Sequence, residues 1–277
     1  MATTSILITG AGGRMGQTLI AIALEADDLA LAGTIDREGS PALGKDAGTL
    51  CGRDKAQIIV SSCLRESLAS TAGQNPIVID FTAPGASLDH ARLCAEHGAG
   101  LVLGTTGFTD EQDAELIALS KNLPMVKAGN MSTGVTLLSA LVEQVAARLD
   151  DSFDIEITES HHRHKVDAPS GTALLLGEAA ATGRNISLKD NSQRARDGIT
   201  GARQPGTIGF QAIRGGAIIG DHDVLFAGES ETITLSHRAL NRGVFAHGAM
   251  RAARWLSQNG TGLRDAGHYS MKSVLNL

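Results

Sequence analysis

The sequence predicts an α/β protein in two parts: a doubly wound parallel sheet, then a second α+β domain with an open mixed sheet. Three observations carry this. Short, uninterrupted apolar runs alternate with helical stretches through the first half, the pattern of strands buried on both faces and linked by helical crossovers. Past Asn130 the pattern changes, and Phe153, Ile155 and Ile157 alternate with Asp154, Glu156 and Thr158, the period of strands with one wet face. Aromatic residues make up only 3% of the 277, so the core must come from Ala, Val, Ile and Leu, side chains that suit strands packed closely on helices.

In chain order, the first half reads as strands over residues 6–8, 29–35, 58–60, 77–79, 101–103 and 125–126, with helices over 15–25, 86–97 and 111–121. Ser132 or Thr133 then caps a helix whose Val135, Leu138, Val142 and Val145 share one face. A strand follows over 153–158, a helical run over 173–181, and further strands over 207–213, 222–226 and 232–236. Residues 183–206, polar and rich in Arg, Gly and Asp, read as a long surface loop. A last helix over 241–256, with Asn241 as its cap, returns to the first domain, so the expected boundaries are 1–130 with 241–277, and 131–240.

Composition narrows the function. A net charge of -6 argues against general attraction to nucleic acid or to an anionic membrane. No segment sustains the roughly 20 apolar residues of a membrane span, and no basic flank precedes the first apolar run. Cys51, Cys63 and Cys94 are odd in number and form no C-x-x-C pair, which suggests neither a disulfide framework nor a zinc knuckle. A cytoplasmic protein is expected.

Three constellations carry chemistry. Gly10-Ala11-Gly12-Gly13-Arg14-Met15-Gly16 follows the first strand and opens a helix. Glycine there permits a tight turn, and backbone N–H groups at a helix N-terminus favour a pyrophosphate. Asp36, about 20 residues past the loop, ends the second strand, where an acid accepts hydrogen bonds from ribose hydroxyls. Arg37 beside it suits a ribose 2′-phosphate or is a solvated surface residue, so NADH and NADPH both stay open as cofactors, with a lean to NADH from Asp36.

The second constellation is Gly104-Thr105-Thr106-Gly107, joined by Ala128-Gly129-Asn130-Met131. Both follow apolar strands, at the carboxyl ends where doubly wound sheets collect ligands. The third is His161-His162-Arg163-His164-Lys165, followed by Asp167-Ala168-Pro169-Ser170-Gly171-Thr172 and a helix. Its positive charge and helix N-terminus suit a carboxylate, and its histidines titrate near neutral pH. A metal site is disfavoured, because His161 and His162 point in different directions and no carboxylate or cysteine completes a recognised spacing. Ser170 lacks the G-x-S-x-G elbow of a nucleophilic serine.

Together these segments, with Asp80-Phe81-Thr82, residues 205–210 and residues 242–246, resemble the 4-hydroxy-tetrahydrodipicolinate reductase (dihydrodipicolinate reductase) family. The His-His-Arg-His-Lys-Val-Asp-Ala-Pro-Ser-Gly-Thr run is the most specific part of the match. The resemblance implies a Rossmann-like dinucleotide-binding domain completed by the C-terminal helix, and a middle substrate-binding domain whose open sheet builds a homotetramer. It implies reduction of a small cyclic dicarboxylate in lysine and diaminopimelate biosynthesis, by hydride from NADH or NADPH and protonation on carbon. His161 takes the family's proton-donor position and Lys165 the second catalytic or carboxylate-binding one, while His162, Gly171 and Thr172 fall at substrate contacts. Gly10 to Met15, Asp36, Arg37, Gly104 to Thr106 and Ala128 to Met131 fall at cofactor positions. Asp36 is shorter than the Glu often found there, and Gly129 stands where a larger residue is often found.

Two other readings compete. A semialdehyde dehydrogenase needs a thiolate in the second domain, but all three cysteines precede Asn130. A non-catalytic dinucleotide sensor needs an added DNA-binding or partner module, for which the chain shows no helix-turn-helix.

Overall fold

The computed structural model describes residues 3–277, which divide into two compact units. One comprises residues 3–132 with Gly243–Asn276, the other Thr133–Arg242.

Numbered in chain order, the strands of the first unit are β1 (Thr4–Thr9), β2 (Leu29–Ile35), β3 (Val60–Ser61), β4 (Ile77–Asp80), β5 (Gly100–Leu103), β6 (Pro124–Lys127) and β12 (Gly267–Tyr269). They form one parallel sheet in the order β12-β6-β5-β4-β1-β2-β3. Its helices are α1 (Arg14–Glu25), α2 (Ala47–Leu50), α3 (Leu64–Ser70), α4 (Pro84–His97), α5 (Asp110–Leu119), α9 (Gly243–Leu256) and α10 (Met271–Leu275).

The apolar runs are continuous because both faces of the sheet are covered. Ile6, Ile8, Ile77, Ile79, Val102 and Val126 pack on one side with Leu19 and Ile20 of α1 and Ala246, Ala249 and Ala253 of α9. Leu7, Val78, Leu101, Leu103 and Met125 pack on the other with residues of α3, α4 and α5. At Gly248 of α9 a Cβ would stand 1.7 Å from the Met131 carbonyl oxygen, so only glycine lets this helix lie so near the end of the β6 segment.

The second unit holds β7 (Asp154–His161), β8 (Ser192–Gln193), β9 (Ile208–Arg214), β10 (Asp221–Ala227) and β11 (Thr232–Arg238), with α6 (Thr133–Ala146), α7 (Gly171–Arg184) and α8 (Leu188–Asn191). Strand order is β11-β10-β7-β9-β8. β10 runs antiparallel to β11 and β7, whereas β7–β9 and β9–β8 are parallel, so the sheet is mixed. α6 and α7 cover one face, where Leu138, Val142, Leu176 and Ala180 meet Ile155, Ile157, Phe210, Val224 and Phe226.

Several expectations need correction. Residues 183–206 are not one loop: α7 runs to Arg184, Leu188 of α8 is buried, and β8 adds an edge strand. Two of its arginines are tied down, since Arg196 and Arg203 both bond the Glu156 carboxylate of β7 at 2.6–2.9 Å. The third strand is shorter and later than 58–60, because Ile59 makes only an isolated bridge to Asp46. The final helix begins at Gly243, which places Asn241 before the cap position. Past this helix the structure adds β12 and α10, which the sequence pattern does not predict.

Candidate active site

The first unit builds a cleft at the carboxyl ends of β1, β2 and β4. Gly10 leaves β1 with φ +67°, in the left-handed region that glycine tolerates, and Gly13 N–H closes the turn onto the Gly10 carbonyl at 2.9 Å. Gly12 N–H donates to Asp36 Oδ2 at 2.7 Å and Arg37 N–H to Asp36 Oδ1 at 2.8 Å, so the loop and the acid at the end of β2 form one piece. A Cβ at Gly16 would lie 2.2 Å from the Gly10 carbonyl oxygen, which is why α1 can begin so close beneath the turn. The cavity beside this loop measures about 730 Å³, with Gly10, Gly12, Gly13, Asp36 and Arg37 in its wall.

Asp80, at the end of β4, organises the opposite wall. It is fully buried, and its Oδ1 accepts from the Thr82 N–H at 2.9 Å and from the hydroxyls of Ser87, Thr82 and Thr105 at 2.7, 2.9 and 3.1 Å. His90 Nδ1 meets Oδ2. Burial alone would raise this carboxyl's pKa, but the bond and charge of His90, with the Ser87 and Thr82 donors, outweigh it and hold the pKa at about 2. Asp80 thereby joins Thr82 and His90, which line the cavity, to Thr105 after β5.

In the second unit, chemistry gathers where β7, β9 and β10 meet the start of α7. His161 ends β7, and its Nδ1 lies 2.6 Å from Glu159 Oε2. Glu159 is 1% exposed; Arg214 of β9 grips both its oxygens at 2.7 Å, and the Ser170 N–H donates to Oε1 at 3.1 Å. Desolvation pushes the Glu159 carboxyl up, but the Arg214 and His161 bonds prevail and its pKa is lowered. Lys165 Nζ is paired with Asp167 at 2.7 and 2.8 Å. His162 is held below the usual imidazole range by burial and then by the positive charge of Arg242 and its neighbours.

His222 of β10 sits edge-on to His161, ring centroids 5.2 Å apart. The Ser170 hydroxyl accepts from the Ala173 N–H at 3.1 Å and lies 3.1 Å from His222 Nε2, an arrangement that suits a neutral His222 accepting the serine proton. Burial, then the charge of His161, pushes the His222 pKa from 6.5 to about 4. Because the unfolded chain takes up this proton first, stability is full above about pH 6.5 and is lost as pH falls toward 4. The loss should be on the order of 3 kcal/mol. Denaturant titrations near about pH 7 and about pH 4.5 should show His222→Gln losing that part of the decline. Equal declines in variant and parent would mean that the imidazole titrates normally.

The expected cofactor residues divide three ways. Gly10, Gly12, Gly13, Asp36 and Arg37 line the cavity. Ala11 is buried with its N–H on the Ile35 carbonyl, Met15 packs against the core, and Arg14 is exposed at the head of α1. Gly104, Thr105, Thr106, Ala128, Gly129, Asn130 and Met131 lie at the carboxyl ends of β5 and β6, outside the cavity wall. Gly104 N–H bonds the Asp80 carbonyl at 2.8 Å, and a Cβ there would strike the Phe81 ring. In the second unit His161, Lys165 and the α7 residues Gly171 and Thr172 are brought to one end of the sheet. Sequence reasoning gave no role to Glu159, Arg214 or His222, and took Ser170 as a donor for a carboxylate at the helix N-terminus, whereas its N–H is given to Glu159. The alternation of β7 puts Glu159 and His161 on one face, but nothing local announces Arg214. Among the described residues no group of three or more His, Cys, Asp or Glu side chains is placed to hold a metal ion, and no helix is long and apolar enough to cross a membrane.

A glycine loop locked to an acid at the end of the second strand belongs to dinucleotide-binding folds. With a carboxylate-anchored histidine on a separate mixed sheet, it defines the class as a two-domain, dinucleotide-dependent oxidoreductase. The family model for the N-terminus of dihydrodipicolinate reductase matches residues 4–131 and that for its C-terminus residues 134–275, so the chain belongs to the dihydrodipicolinate reductase family. It is 51% identical to 4-hydroxy-tetrahydrodipicolinate reductase of Parvibaculum lavamentivorans, over 100% of this chain and 99% of that one. To the enzyme of the same name from Brucella abortus it is 50% identical over 98% of each. The fold is similar to that of dipicolinate-bound dihydrodipicolinate reductase from Paenisporosarcina sp. TG-14, with TM-score 0.76, 27% identity and 97% of each chain covered.

Proposed function

We propose that this protein reduces 4-hydroxy-tetrahydrodipicolinate to tetrahydrodipicolinate in lysine and diaminopimelate biosynthesis, with NADH or NADPH as cofactor and the 4-hydroxyl leaving as water. The observation that carries the reading is the full-length match to relatives of that name, joined to a histidine anchored by a buried carboxylate. Residues 1–130 with 241–277 would form the dinucleotide-binding domain, and 131–240 the substrate-binding and oligomerisation domain.

The cavity fits a dinucleotide. Side chains at Gly12 or Gly16 would invade the loop, Asp36 retains acceptor capacity for ribose hydroxyls, and Arg37 stands beside it for a 2′-phosphate. Gly10 to Met15 would hold the pyrophosphate, and Gly104 to Thr106 with Ala128 to Met131 the nicotinamide half. When bound, the reduced nicotinamide supplies hydride. The chain's own part is binding and proton transfer. Gly171 and Thr172 open α7, where the helix N-terminus favours a carboxylate. Lys165 exchanges Asp167 for the substrate at little cost, since a partly exposed ion pair contributes only about 0–1 kcal/mol. His162 adds a substrate contact, and His161 gives a proton to carbon.

The test mixes purified protein, freshly generated substrate and either nucleotide, and follows loss of reduced-nicotinamide absorbance. Substrate-dependent oxidation is expected, whereas nucleotide binding without oxidation would leave a sensor. Arg37→Ala should raise the KM for NADPH about tenfold and that for NADH less than about twofold, the size of a lost charge-assisted bond. Equal effects on both would deny Arg37 a role at the 2′-phosphate.

A homotetramer is supported by the open face of the middle sheet. Thr158, Ser160, Asp223, Leu225 and Ile213 lie opposite the face that α6 and α7 cover, and Ile213 is 50% exposed. Light scattering should return four times the chain mass, and a monomer would refute it.

A further inference from the structure

We propose that Glu159, clamped by Arg214 and Ser170, is a positioning residue for the reaction: it fixes the tautomer and angle of the His161 ring so that the transferred proton sits on Nε2, beside Gly220. The inference rests on the reading of His161 as proton donor.

The geometry leaves the carboxylate little freedom. Two Arg214 nitrogens, the Ser170 N–H and His161 Nδ1 supply four partners at 2.6–3.1 Å, as many as the acceptor sites on an ionised carboxylate. Arg214 is itself held in place by the Asp167 carbonyl at 2.7 Å. An ionised carboxylate can only accept, so Nδ1 must carry a hydrogen in both charge states of the ring. The proton that comes and goes is therefore the one on Nε2. In the transfer the Nε2–H bond breaks, a C–H bond forms on the substrate, and the ring is left neutral with its Nδ1–H still on Glu159.

Gly220 marks the side on which Nε2 lies. It is buried just before β10, and a Cβ there would stand 3.1 Å from His161 Nε2 and 3.6 Å from His222 Cε1. Its φ is not in the left-handed region, so an alanine there would be crowded by the His161 ring, which would have to give by a few tenths of an ångström, and not by the backbone. The charged and titratable groups around the ring are Glu159 on β7, Arg214 on β9, His222 on β10, and His162, Lys165 and Asp167 on the connection to α7. Of these only Glu159 bonds it.

The test uses histidine-labelled full-length protein. In the parent, a ring N–H proton resonance assigned to His161 by its loss in His161→Gln should lie far downfield, as expected for Nδ1–H on a carboxylate, and Glu159→Gln should abolish it. The same variant should lose about a hundredfold in kcat and change the pH dependence of turnover, with the nucleotide Kd within about threefold of the parent. Gly220→Ala leaves the clamp intact, so it should keep the resonance and lose about tenfold in kcat. Parent-like turnover in Glu159→Gln, or no Nδ1–H resonance in the parent, overturns the clamp. Parent-like turnover in His161→Gln sinks the donor reading beneath it, an outcome the resonance alone does not produce.

Discussion

Replacing His161 with Gln is expected to lower turnover about 10³-fold, within the range that a positioned general acid contributes. Gln fills similar space and can still donate an amide hydrogen to Glu159, so the carboxylate keeps a partner and the second unit keeps its fold. What disappears is the imidazole read as giving its Nε2 proton to substrate carbon. The cavity residues belong to the first unit, so the Kd for NADH, read by its fluorescence, should stay within about threefold. The loss belongs in kcat and kcat/KM together, the signature of an interaction used in the transition state. A variant that kept parental turnover on 4-hydroxy-tetrahydrodipicolinate would remove His161 from the chemistry.

The second large effect is expected at Gly16. A Cβ there would lie 2.2 Å from the Gly10 oxygen and 2.9 Å from the Ala11 Cα, both backbone atoms that no rotamer change can move aside. Gly16→Ala must therefore push α1 away from the turn or unwind the turn itself. Either shift breaks the bond from Gly12 N–H to Asp36 and spoils the pocket for both pyrophosphate and ribose. Affinity for NADH should fall at least about a hundredfold, and overpacking should cost roughly 1–3 kcal/mol of stability. Calorimetric titration and a thermal melt measure the two separately. Parent-like affinity would show that the loop can yield without consequence.

Much of the architecture was legible because its signals are local. The six residues of β1 are buried throughout, so Ile6, Leu7 and Ile8 form an unbroken apolar run, and β7 alternates in burial just as its residue types alternate. The glycine loop and the basic run at His161 to Lys165 are each contiguous, so composition alone exposed them. β12 has three residues, Gly-His-Tyr, too few for any period to show. β8 has two and depends on pairing with β9 for its existence. The Glu159–Arg214 clamp joins residues 55 apart, and the His222–Ser170 contact residues 52 apart. Such pairs follow from strand order, which no local window contains. Asp80 enters the sequence reading only through the resemblance, and its organising role is hidden for a related reason: nothing local shows that Ser87 and Thr105 fold back upon it.

The placement of α9 and β12 in the first unit has a bearing on synthesis. Strands β1 to β6 leave the ribosome early, yet the surface they present to Ala246, Ala249 and Ala253 stays bare until the whole middle segment has been translated. The contiguous second unit has no such wait. During translation the half-built parallel sheet is therefore the species at risk of sticking to other chains, and shielding by a chaperone matters most in that interval.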